Sequence, residues 1–192
     1  SNGRCIMPLS FPNVGIQNMS MRLRRVVAVS ESPFTLDTQV YTHQGARWEA
    51  EINLPPLTHA EAKSIEGFII GLKGREGTFT FGNPLDTSTL SNNTVSSAAI
   101  RAESFTLGSG TAAVSAGTYF ELNNHLYCVT SDKAAGATTL NFQPPLRSAV
   151  TSSLLVKYNL PTTTWRMASN EVSWSINEAS IYGFAFSCVE AL

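Results

Sequence analysis

His43, His59 and His125 are the only imidazoles in the chain, and their spacing sets the first limit on its chemistry. His43 falls in a strand pattern, His59 in the first turn of a helix pattern and His125 beside a hairpin loop. No His-x-x-x-His, His-Glu-x-x-His or Cys/His cluster occurs, so the sequence gives a metal centre no basis. Ser, His and Asp are all present, but no Gly-x-Ser-x-Gly elbow presents a nucleophile. Asp37, Asp86 and Asp132 sit in turn settings, where Asp serves local hydrogen bonding. Glu49 and Glu51 point the same way from one strand. Paired carboxylates do acid–base work in glycosidases, yet the wet face of a strand accounts for both. Gly74-x-x-Gly77 follows a helix instead of preceding one, the wrong order for holding phosphate at a helix N-terminus. No catalytic residue and no cofactor are expected.

The remaining charged and aromatic residues point toward surfaces. Arg22 and Arg24 share a strand face and Arg25 opposes them. Such a cluster suits a subunit interface, a nucleic-acid path or a plain solvated face. Arg75-Glu76, between two glycines, makes a local ion pair of little worth or reaches a neighbouring subunit. Trp48, Trp165 and Trp174 lie in alternating strands, where sheet packing is their usual work. A glycan-binding surface, if the chain has one, would draw on Tyr119, Tyr127 and Trp165.

Bulk properties narrow the classes further. The chain has 192 residues, 43% hydrophobic and only 14% charged, with a net charge of −1. That length allows one large domain or two small ones. The low charge, well under the usual quarter of residues, favours surface buried by assembly. Neither nucleic acid nor an anionic membrane is favoured by the net charge. No apolar run approaches the roughly 20 residues that span a bilayer. The opening SNGRCIMPLSFP lacks the apolar centre of a secretory leader. Cys5, Cys128 and Cys188 are odd in number and widely spaced, which disfavours a disulfide framework and suits a reducing compartment.

The elements that must position these residues read mostly as strands. Met19, Met21 and Leu23 alternate with polar residues, and the strand runs on to end near Ser32-Pro33. Gln39 to His43 and Trp48 to Leu54 suggest a hairpin that turns at Gln44-Gly45. After Pro55-Pro56, Thr58 and Glu61 form a capping-box pattern. Ile65, Phe68, Ile69 and Leu72 then make one helical stripe. Gly74 stands at the left-handed C-cap position. Gly67 and Gly71 share a helix face and predict close packing on a sheet. Thr78 to Phe81 is a short strand that stops at Gly82-Asn83-Pro84. From Asp86 to Pro161, short strands separated by Gly, Pro and Asn123-Asn124 predict a small barrel or sandwich. Beyond Thr162-Thr163-Thr164, aromatic strands return, with Tyr182, Phe184, Phe186 and Cys188 on one face. The expected fold is mainly β. The strands at both ends of the chain are expected to pair into one sheet with the helix lying on it, residues 1–85 and 162–192, split by an inserted small β-domain at 86–161.

Several strings in this order resemble the distal tail proteins of long-tailed, siphovirus-like bacteriophages. They are VAVSESPFT (27–35), QVYTHQGARWEAE (39–51), LPPLTHAEA (54–62), GREGTFTFGNP (74–84), WRMASNEVSWSI (165–176) and IYGFAFSCVEAL (181–192), with PPLR (144–147) inside the insertion. The resemblance implies a β-sandwich belt domain that packs into a hexameric ring at the virion's tail tip. It also implies a projecting galectin-like or OB-like domain, and no catalytic residues. The implied partners are the tail tube protein, the tail hub and peripheral fibre or receptor-binding proteins. The protein would be made in the host cytoplasm, and no direct nucleic-acid binding is expected. On charge and strand position, Arg22, Arg24, Arg75 and Glu76 are the expected ring contacts. The alternative is a carbohydrate-binding β-sandwich module of a host-attachment apparatus. The short, Thr/Ser-rich insertion weighs against it.

Overall fold

The computed structural model describes residues 8–108, 112–176 and 182–192. Cys5, Ser109, Gly110, Asn177 and Glu178 lie outside these. The described chain is mainly β, with several sheets and one helix, consistent with a β-sandwich. In order it forms β1 (Leu9–Ser10), β2 (Asn18–Glu31), β3 (Thr38–Asn53), α1 (His59–Leu72) and β4 (Thr78–Phe81). Next come β5 (Asn93–Thr94), β6 (Ser104–Thr106), β7 (Tyr119–Leu122), β8 (His125–Val129), β9 (Thr139–Gln143) and β10 (Leu155–Val156). Last are β11 (Thr163–Met167), β12 (Trp174–Ile176) and β13 (Tyr182–Glu190).

The largest sheet has the order β1-β4-β11-β13-β3-β2, with β12 also on β13. It joins both ends of the chain, as the aromatic strands predict. β11 and β12 run antiparallel to β13 at successive positions, Trp165–Met167 on Glu190–Cys188 and Trp174–Ile176 on Phe184–Tyr182. They are two pieces of one strand path, with residues 168–173 looping out between them.

One face of this sheet is apolar. Phe186 pairs with Ile52 and Cys188 with Ala50, all buried by the period-2 alternation. Onto it α1 lays Ala62, Ile65, Phe68, Ile69 and Leu72. Glu61 accepts the Thr58 N–H at 3.0 Å, as the capping pattern requires, and the Thr58 hydroxyl lies 2.7 Å from the same carboxylate oxygen. Phe68 meets Phe79 edge-on, centroids 5.4 Å apart, and Phe11 meets Phe68 likewise.

Two helical expectations are corrected. Gly67 and Gly71 are exposed. A side chain at Gly67 would meet nothing within 4 Å, and one at Gly71 only the Leu9 tip. The stripe through Ile65 and Phe68 turns both glycines to solvent. The left-handed C-cap residue is Lys73, φ 51°, and Gly74 follows at φ 66°. Close backbone approach falls instead at Gly77, where an added Cβ would lie 2.6 Å from the Leu72 carbonyl.

The hairpin expectation is corrected too. β3 runs unbroken through Gln44-Gly45, and the chain turns at Ser32–Asp37, where Leu36 N–H bonds to Ser32 O at 2.9 Å. The register shifts between Arg25 and Val27: Arg25 opposes Ala46, whereas Val27 opposes Thr42. Gly45 therefore marks a bulge beside Val26, not a turn.

A second buried cluster gathers Phe105, Phe120, Tyr127, Leu140, Phe142, Val156 and Tyr158. The sheet β6-β9-β8-β7 and the pair β10-β5 surround it. Bridges Glu121–Lys157 and Val95–Leu107 connect β7 to the β10 side and the β5 side to β6. Asn123 and Asn124 turn the β7–β8 hairpin at φ 52° and 63°, as an Asn-Asn loop should. The Tyr158 hydroxyl is buried with no hydrogen-bond partner among the described residues, and burial pushes its pKa up to about 12. Tyr158→Phe should therefore melt at or above the wild-type temperature, gaining at most about 1 kcal/mol. A lower melting temperature by calorimetry would show that the hydroxyl contributes.

Candidate functional site

The polar face of the large sheet carries a built charge cluster. Alternation turns Glu49 and Glu51 away from the apolar core, and cross-strand pairing sets Arg22 opposite Glu49 and Arg24 opposite Arg47. Arg22 Nε lies 2.9 Å from Glu49 Oε2, Arg47 Nη2 2.9 Å from Oε1, and Arg24 Nη1 3.7 Å from Oε1. One carboxylate thus serves three guanidinium groups and is itself buried. The hydrogen bond from Arg22, helped by Arg47, outweighs the cost of burial and holds Glu49 below its ordinary pKa. A carboxylate kept ionised in this way is not a general acid.

Around the cluster opens a groove of about 290 Å³, lined by Arg22, Arg24, Arg47, Arg75, Glu49 and Glu51 among others. Four cations against two anions leave a net charge of +2. The Arg22 and Arg24 side chains remain 70% and 65% exposed despite Glu49. Arg75 arrives from the turn after α1. Its N–H bonds to Asn170 Oδ1 at 3.1 Å, so the loop between β11 and β12 braces that turn against the sheet.

Of the expected contact residues, Arg22, Arg24 and Arg75 therefore come together. Glu76 is exposed on the same turn and does not line the groove. Sequence reading missed Arg47 as the third partner and Glu49 as the centre. The signal was the register, hidden by placing a turn at Gln44-Gly45. Arg25 points the other way, and its Nη2 lies 2.8 Å from Gln143 Oε1.

Beyond the groove, β2 and β3 continue as a two-stranded arm that no other described strand joins. Val27 and Val29 on β2 share a face with Val40 on β3 and are 48%, 63% and 58% exposed. Phe34, at the tip, is 94% exposed.

The aromatic residues considered for glycan contact are placed differently. Trp165 is wholly buried and donates from Nε1 to Phe81 O at 2.9 Å. Tyr127 is buried, and its hydroxyl accepts the Arg147 N–H at 3.2 Å. Neither offers a ring face to a sugar, because strand alternation turns both inward. Tyr119 is half-buried against Trp48, centroids 5.9 Å apart, and lines an apolar cleft between the two cores. Trp48 is buried and donates to Leu126 O at 2.8 Å. Trp174 lies in β12, paired with Phe184.

The histidines stay apart. His59 Nδ1 is 2.9 Å from the Tyr182 hydroxyl, and His125 Nδ1 is 3.3 Å from Glu190. Among the described residues no group of three or more His, Cys, Asp or Glu could hold a metal. Burial pushes the Cys188 thiol up to about 12 and raises Cys128 as well, so neither is a poised nucleophile. No helix among the described residues is long and apolar enough to cross a membrane.

The second charged constellation joins the two cores. Glu190 closes the buried face of β13, and its carboxylate accepts from Arg147 Nε at 3.2 Å, from Arg147 Nη2 and from Trp48 N–H at 3.1 Å. Glu121 does similar work nearby, bonding Lys157 Nζ, Thr162 N–H and the Thr162 hydroxyl, each at 2.9 Å.

A comparison with protein-family models finds no match, and none of the curated proteins compared is similar to the chain.

Proposed function

We propose that this chain is a structural, ring-forming protein of a phage tail tip, whose work is assembly and not catalysis. The observation that carries the reading is the arm. An isolated two-stranded ribbon is marginal in water, and this one presents three valines on one face that the described residues leave 48%, 63% and 58% exposed. Covering that face with a second copy resolves the difficulty, and a head-to-tail contact that closes gives a ring. The resemblance of the outer segments to distal tail proteins gives the ring its place, between the tail tube and the hub.

Residues 86–161 are, on the same reading, an inserted small β-barrel that holds fibre or receptor-binding proteins. Its support is the circuit of pairings β5-β10-β7-β8-β9-β6 and back to β5, closed through the Glu121–Lys157 and Val95–Leu107 bridges.

Sedimentation velocity tests the proposal. The purified chain should form a discrete species several times the protomer mass, and Val29→Glu with Val40→Glu should return it to protomers. A wild-type chain that stays monomeric at every concentration, alone and with tail tube protein, would overturn it.

A further inference from the structure

The hairpin tip and the arginine groove have opposite charge and cannot meet within one chain. From Ala28 to Tyr41 the arm carries Glu31 and Asp37 and no Lys or Arg. Both acids are exposed, and neither forms an ion pair among the described residues. Tip and groove sit at opposite ends of the same ribbon. Ten residues separate Arg24 from Phe34, which at about 3.3 Å per residue is roughly 30 Å. The turn at Ser32–Asp37 is held by its own hydrogen bonds, Ser32 N–H to Asp37 O at 2.9 Å among them. It forms a compact knob and not a loose tail.

We infer that the groove lined by Arg22, Arg24, Arg47 and Arg75 receives the acidic hairpin tip, Glu31 to Asp37, of a second copy of this chain. The inference rests on the ring-forming reading and names its contact. Glu49 has a defined part here. It lies beneath the arginines and holds Arg22 and Arg47 in place, while Arg24 at 3.7 Å and Arg75 keep most of their charge for an incoming carboxylate. Arginine forks take carboxylates in two-point contacts, which fixes register as well as affinity. Each copy offers one tip and one groove, so every contact leaves a tip and a groove free for the next, until the set closes.

Charge exchange tests this. Arg24→Glu with Arg75→Glu reverses the groove while sparing the two arginines that hydrogen-bond Glu49. Glu31→Arg with Asp37→Arg reverses the tip. Either pair should weaken self-association measured by sedimentation equilibrium at least about tenfold, in keeping with close charge pairs at interfaces. The four changes combined should restore it to within about threefold of wild type.

Assembly that ignores either reversal would overturn the groove contact while leaving the ring reading intact. Weakening by groove reversal without rescue by tip reversal would exclude the tip as occupant. Loss of wild-type assembly altogether would instead count against the ring. A second measurement does not depend on charge: Thr35→Cys and Ser20→Cys together should crosslink copies on oxidation, giving a ladder on a non-reducing gel. No ladder beyond that of each single variant would also overturn the contact.

Discussion

Arg147→Ala should destabilise the protein by about 3–5 kcal/mol, the range for stripping one partner from a buried ion pair. Glu190 is 3% exposed and lies on the inward face of β13. Burial alone would raise its pKa. Hydrogen bonds from His125 and Arg147, the Arg147 charge and the Trp48 N–H together overcome that cost and hold it below its ordinary value of 4.5. A carboxylate with a lowered folded pKa adds stability above its unfolded pKa and loses it as pH falls through the folded value. Wild type should therefore weaken as pH falls from the usual Glu range through the lower folded value. The variant should behave in the opposite way: with the guanidinium gone, burial weighs more heavily on Glu190, which takes up a proton at a higher pH than in wild type. The gap between the two proteins should narrow as pH falls from 7 toward 4. Urea unfolding at both pH values measures it, and a gap of constant size would refute the account.

Gly82→Ala should be comparably severe, about 3 kcal/mol or more, because it overpacks backbone on backbone. A Cβ at Gly82 would overlap the Pro161 carbonyl and press on Thr162 Cα at 3.1 Å. Neither neighbour is a flexible tip that can swing aside. Gly82 is also where the chain leaves β4, and Pro161 is where it comes back to β11. Forcing them apart should disturb the pairing of Phe81 with Thr163. Gly67→Ala, which meets nothing, is the control and should stabilise slightly. Equal melting temperatures for wild type and Gly82→Ala would show that the crossing relaxes at little cost.

Much of the fold was legible because it rests on local signals. The capping box at Thr58 and Glu61, the stripe from Ile65 to Leu72, the Asn123-Asn124 turn and the alternation in β13 are each written in a few adjacent residues. The bulge at Gly45 was not, because the same Gln-Gly pair serves a turn or a bulge and only the partner strand decides. The arginine groove was half visible. Arg22 and Arg24 declared a common face, but their meeting with Arg47 and Glu49 depended on that unresolved register. Glu190 could have been found: it continues the alternation of Tyr182, Phe184, Phe186 and Cys188, and an acid at an inward position demands a cation. The cation, Arg147, lies in a distant segment that no local pattern links to it. Tyr127 and Trp165 were misjudged as surface candidates because composition shows an aromatic ring but not the direction it faces.

The pairing of β4 with β11 also bears on how the chain becomes ordered. Phe81 and Thr163 are neighbours in the sheet, and everything between them must be gathered before they can meet. Closing a loop costs entropy that rises with the logarithm of its length. Pairings such as β7 with β8 close a short loop, whereas β3 with β13 must close most of the chain. Once residues 82–162 have condensed around Phe120 and Phe142, their two ends are tethered and the long closure becomes a short one. The loop-closure barrier to the large sheet is then set by the compactness of the middle segment more than by its length, so that segment can lengthen or shorten with little effect on how fast the sheet forms.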